Sequence, residues 1–142
     1  MKPVIVVETF SAPVSKVWKA ITDQDEMKHW YFENIDHFEP RVGSRSKFEV
    51  QSGNNTFTHL WKVTDVIPQK KISYSWKYEE YQGDSNVSFE LVDKGEKTML
   101  TLTAVFTANF PDDVPEFKRE SCLGGWQYFI QERLKSYLET KL

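Results

Sequence analysis

The chain has 142 residues, with 18 basic against 21 acidic side chains, a net charge of −3. Hydrophobic residues make up 39% and charged residues 27%, a balance that excludes a disordered chain and fits one domain over residues 1–142. Without a basic excess no phosphate-tracking nucleic-acid surface is expected, and the longest apolar run, Val4-Ile5-Val6-Val7, is far too short to cross a membrane.

Val4 to Phe10 is apolar and β-branched and predicts a strand. Ser11 offers a cap to an orphan helix N–H, and Pro13 is harmless in a first turn because no intrahelical donor is lost there. Val14, Val17, Trp18 and Ile21 then share one helical face. Asp23 and Glu26 have capping-box spacing, so a second short helix is expected to run to about Trp30. The following Trp30-Tyr31-Phe32 is expected to be exposed, a surface that would support a homodimer as well as a monomer.

After Gly43 the apolar period falls to two. Phe48 and Val50 share one strand face, Gly53-Asn54-Asn55 marks a turn, and Phe57, His59, Trp61 and Val63 alternate on the next strand to about Pro68. Ile72, Tyr74, Trp76 and Tyr78 alternate against Lys71, Ser73, Ser75 and Lys77, a strand with one wet face. Val87, Phe89 and Leu91, then Leu100, Leu102, Ala104 and Phe106, mark two more, with Gly83 and Gly95 as punctuation. Turns this short predict an antiparallel meander.

Beyond Pro115 the period becomes helical. Trp126, Phe129, Ile130, Leu134, Tyr137 and Leu138 form a long apolar stripe that needs a partner, and the sheet's concave face is the only one large enough. Gly124-Gly125 lies inside this helix at a cost of about 1 kcal/mol per glycine relative to alanine, so close packing or a bend is expected there. The predicted fold is α+β, a helix-grip. A curved antiparallel sheet of six to seven strands surrounds a long C-terminal helix, and two short helices follow the first strand.

Several strings carry a resemblance. They are Ser11-Ala12-Pro13 with Val17-Trp18, Ile21-Thr22-Asp23 with Trp30-Tyr31-Phe32, Asp65-Val66-Ile67-Pro68 with Ile72-Ser73-Tyr74-Ser75-Trp76, and Gly125-Trp126. In that order they resemble the START-like (SRPBCC, birch-pollen-allergen-like) superfamily, and within it the activator of Hsp90 ATPase homologue family. The resemblance implies the same helix-grip fold and a superfamily that includes lipid carriers, hormone receptors and polyketide cyclases. Members often carry glycine where Trp61 stands, so a Trp there should leave a pocket that is small or displaced toward a helix end.

Aromatic residues reach 15%, so rings must fill a bulky core or surround a cavity. The candidate ligand-binding residues are Phe48, Phe57, His59, Trp61, Tyr74, Trp76, Phe89, Trp126 and Ile130. His59 alternates inward, as a satisfied core histidine or as a polar handle for a ligand. No catalytic residue, metal set or cofactor is expected. His29, His37 and His59 lack metal-ligand spacing, and no nucleophile elbow, phosphate loop or dinucleotide fingerprint occurs. Glu79-Glu80 and Asp112-Asp113 read as solvated surface. The single cysteine, Cys122, reads as a small buried hydrophobe; together with the absence of an apolar leader it suits a cytoplasmic setting. The leading expectation is non-enzymatic binding of a small apolar or amphipathic molecule between sheet and helix. One alternative is a co-chaperone-like module with a chaperone as partner, the other a cyclase- or hydrolase-like enzyme.

Overall fold

The computed structural model describes residues 2–139. Strand β1 (Val4–Phe10) leads into helices α1 (Val14–Thr22) and α2 (Gln24–Trp30). Five strands follow: β2 (Arg45–Ser52), β3 (Asn55–Ile67), β4 (Lys71–Tyr78), β5 (Asp84–Asp93) and β6 (Thr98–Ala108). A 3-10 turn at Pro115–Phe117 then opens the C-terminal helix α3 (residues 119–139). The sheet order is β1-β6-β5-β4-β3-β2, each neighbour antiparallel, so the meander β2 to β6 is closed off by β1 on its far side. Six strands form within the six to seven expected.

Alternation decides which face is buried. On β4, Ile72, Tyr74 and Trp76 point into the core, and on β6 Leu100, Leu102 and Ala104 do the same. The opposite convex face meets water and still carries Ile5, Val7, Val92 and Val105 as exposed apolar residues. The β2–β3 hairpin turns at Gly53-Asn54; only Gly53, at φ 60°, takes a positive φ, the pattern of a type II′ turn that suits strand twist. Gly83, at φ 116°, has a second constraint. A Cβ there would stand 2.9 Å from the Cα of Phe110, so the start of β5 and the loop after β6 approach too closely for a side chain.

Helix α3 lays Trp126, Ile130, Leu134 and Leu138 on the concave face. It is α-helical over Arg119–Gln127, widens to a π-type segment over Tyr128–Leu134, and returns to α over Lys135–Glu139. Polar contacts pin it to the N-terminal segment. Lys135 Nζ lies 3.0 Å from Glu8 and 3.4 Å from Glu139, and the Ser11 N–H donates to Glu139 at 2.8 Å.

Three expectations change. Ser11 does not cap α1; Pro13 occupies that position without a side-chain bond, and Ser11, two residues before it, donates its amide N–H to Glu139. Asp23 caps α2 by accepting from the Asp25 and Glu26 amides, but Glu26 does not reach back and instead accepts from the Tyr137 hydroxyl. Gly124 and Gly125 are not sites of close packing, since a Cβ at either would meet nothing within 4 Å.

Candidate functional site

Trp30-Tyr31-Phe32 is not an exposed patch. Trp30 is fully buried with its Nε1–H donating to the Ala20 carbonyl at 2.8 Å, Tyr31 is buried, and Phe32 packs on the core. The chain leaving α2 turns inward because three adjacent rings would otherwise lie in water. Tyr31 stacks on Trp30 at 4.5 Å and on Trp61 at 5.4 Å, while Phe32 sits 5.2 Å from Phe48 and 5.0 Å from His59. These two rings fill the centre of the space between sheet and α3.

All nine candidate residues are buried on the concave side, in four different settings. Phe48, His59, Trp61, Tyr74 and Phe89 are packed around Tyr31 and Phe32. Ile130 is fully buried under α3. Phe57 belongs to a neighbouring aromatic group with Tyr78, Tyr81 and Phe117, joined to the first through His59 and Tyr78 at 4.9 Å. Trp76 and Trp126, 5.4 Å apart, stand between the two groups and border open space.

That space is a cavity of about 150 Å³ between β4, β5, β6 and the first half of α3. Six rings wall it: Trp76, Tyr78, Phe106, Phe110, Trp126 and Phe129. Ser121 and Gly125, both exposed, mark where it meets solvent. Trp61 does not border it; the indole is only 2% exposed and occupies volume nearer Tyr31 and Tyr74. The cavity is accordingly small and displaced toward the N-terminal end of α3.

Phe106, Phe110, Phe129 and Glu116 were not among the candidates from the sequence. Phe110 and Glu116 lie in the stretch between β6 and α3, where no period assigns a side to each residue. Phe106 extends the alternation of β6 and Phe129 lies on the apolar stripe of α3, so both were legible from the pattern.

The polar groups here have definite partners. Trp76 Nε1–H donates to the Tyr78 hydroxyl at 2.8 Å, and the Ser85 hydroxyl donates to the Trp76 carbonyl at 2.7 Å. Burial pushes the Tyr78 hydroxyl well above its ordinary range, so it stays neutral. Burial also pushes the Cys122 thiol up, only partly opposed by the Arg119 guanidinium, so it is no activated nucleophile. Glu116 accepts from the Ser52 hydroxyl through Oε2 at 2.8 Å, whereas its Oε1 is buried without a hydrogen-bond partner.

His59 does not border this cavity. Its Nδ1–H donates to the Phe57 carbonyl at 3.0 Å, and its ring stacks on Phe48 at 4.8 Å. Burial lowers its pKa from 6.5 to about 4, so the ring is neutral near pH 7. Glu79 and Glu80 are both exposed; Glu80 accepts from the Thr58 amide and hydroxyl, and Glu79 pairs with Lys47 at 3.2 Å. Among the described residues no cluster of His, Cys, Asp and Glu could hold a metal ion, and no helix is long and apolar enough to cross a membrane.

A curved antiparallel sheet gripping one long helix, with two short helices after the first strand, defines a START-like helix-grip protein. The family model described as "Activator of Hsp90 ATPase homolog 1-like protein" matches residues 11–139, and the chain belongs to that family. Solved structures share the fold. CV1439 from Chromobacterium violaceum aligns over 96% of each chain with a TM-score of 0.78 and 20% identity. The Aha1 dimer from Colwellia psychrerythraea aligns over 98% of this chain and 97% of its own, with a TM-score of 0.72 and 23% identity. DynU16, from the dynemicin biosynthetic locus, has a TM-score of 0.77 and 24% identity over 99% of this chain but 48% of its own, so this chain spans about half of it. At such identities these likenesses speak to the fold alone. No curated protein sequence matches the chain.

Proposed function

We propose that this protein binds a small hydrophobic or amphipathic molecule in the cavity between the sheet and α3, without chemical conversion. The observation that carries the reading is the cavity of about 150 Å³ walled by six rings. An apolar void of this size holds a molecule on the scale of benzene. The glycine at 125 supports it, since it borders the cavity and a Cβ there would meet no atom within 4 Å. Glycine costs helix stability at this position, about 1 kcal/mol relative to alanine, and keeps the mouth unobstructed. The buried, neutral His59 does not border the cavity, which gives no support to a cyclase or hydrolase.

The test is native mass spectrometry of the purified protein, followed by calorimetric titration with toluene, which fits the cavity. Wild type should bind toluene and Gly125→Leu should lose most of that binding while keeping its circular-dichroism spectrum. Equal toluene binding by the two proteins would remove the cavity from consideration.

A second reading follows from the family itself, whose description names activation of the Hsp90 ATPase. It would make the domain a module docking on a chaperone, in the cytoplasm, and a chaperone ATPase assay with added protein separates it from ligand carriage. The dimeric relative from Colwellia psychrerythraea supports a homodimer as the assembly to look for by light scattering.

A further inference from the structure

We propose that the molecule taken into the cavity is a small apolar amine, bound as its ammonium form by Glu116 with its apolar body among the rings. This rests on the cavity reading above and specifies its ligand. Glu116 borders the cavity, and its Oε1 is buried with no hydrogen-bond partner. No Lys, Arg or His makes an ion pair with it among the described residues. A buried carboxylate oxygen left without a donor costs free energy, and a ligand that brings a donor and a positive charge recovers it.

The terminal torsion of a glutamate is soft, so the carboxylate can swing toward the cavity without disturbing the backbone, giving up the Ser52 hydroxyl in exchange for the ammonium. The rings favour the same ligand class. Trp76, Tyr78 and Trp126 line the space, and indole and phenol rings are the ones whose faces attract ammonium groups. A carboxylate ligand such as a fatty acid would bring like charge against Glu116 in a partly desolvated site and is disfavoured. The volume of about 150 Å³ limits the body to roughly one ring.

The experiment compares three probes of one size by calorimetric titration at neutral pH: benzylamine, toluene and phenylacetate. Benzylamine should bind wild type at least about tenfold more tightly than either of the others, a margin of about 1.4 kcal/mol. In Glu116→Gln that margin should shrink to less than about threefold, with toluene binding showing that the cavity survives the substitution. Toluene binding in wild type without an amine margin overturns the amine proposal and leaves the cavity reading standing. Phenylacetate as the tightest probe, or an undiminished amine margin in Glu116→Gln, overturns it too. Failure of all three probes to bind wild type overturns the cavity reading and the amine proposal together.

Discussion

The Tyr31 hydroxyl meets the Tyr74 hydroxyl at 2.8 Å, joining the end of α2 to the middle of β4 inside the core. Burial first, and the neighbouring phenol second, push the Tyr31 hydroxyl far above its ordinary range, and burial does the same to Tyr74, so both are neutral partners. Removing one oxygen leaves the other buried and unpaired, whereas removing both leaves an apolar contact. Tyr31→Phe and Tyr74→Phe should each destabilise by about 1–3 kcal/mol, and the double variant by clearly less than their sum. Urea unfolding of the four proteins measures the coupling, and strict additivity would show that the pair does not interact.

His59 makes stability depend on pH in one direction. Its folded pKa of about 4 lies below the ordinary 6.5, so the unfolded chain binds more protons between those values. Stability should be fully present above about pH 6.5 and fall as pH drops toward 4, by on the order of 3 kcal/mol from this group. His59→Phe keeps the ring stack on Phe48 and has nothing to titrate. Its urea midpoint should change markedly less between pH 7 and pH 4.5 than that of wild type, and parallel profiles would exclude His59 as the source.

Two glycines should respond in opposite ways. Gly83→Ala places a Cβ 2.9 Å from the Phe110 backbone at a φ of 116°, and should cost about 2 kcal/mol or more. Gly124→Ala adds a Cβ to an exposed helical position with nothing within 4 Å, and should stabilise by about 1 kcal/mol. Thermal unfolding of the two variants beside wild type checks the signs.

Trp61→Gly should open a second void, bordered by Tyr31, Phe38, Phe48 and Tyr74, all within ring contact of the indole. The loss should be about 3–5 kcal/mol, with an added penalty for glycine inside a strand. Removing the indole also removes its Nε1–H, which is buried without an acceptor, so Trp61→Phe should cost far less than Trp61→Gly. Similar midpoints for the two variants would mean that indole volume is not what holds this region.

The strands were legible because one face of this sheet is wet: Lys71, Ser75 and Lys77 alternate with Ile72, Tyr74 and Trp76, and that alternation alone gives the inward side. The stripe of α3 was legible for the same reason at a helical period, though its π-type segment was not, because Trp126, Ile130 and Leu134 remain on one face with either winding. Tyr31 and Phe32 escaped that logic. They lie past the end of α2, where the backbone follows no period and a ring can turn either way. Their bulk was itself a signal, since leaving three adjacent rings in water forfeits several kcal/mol of burial. Glu116 was illegible for a different reason: its missing partner depends on Ser52, far away in the chain, taking only one oxygen.

The clasp between the chain's two ends imposes an order on synthesis. Every residue of β1 pairs within β6, from Val4 with Ala104 to Phe10 with Thr98, and Gln131 of α3 donates to the Val7 carbonyl. On the ribosome β1 emerges before the other strands of this sheet, and its sheet neighbour β6 is the last of them to be translated. The meander β2 to β6 closes through adjacent hairpins and is free to assemble early, while β1 must wait. The waiting segment contains Val4-Ile5-Val6-Val7, a β-prone run that would template intermolecular pairing if left uncovered. Nascent chains of this protein therefore pass through an interval in which their first strand is the part most in need of shielding.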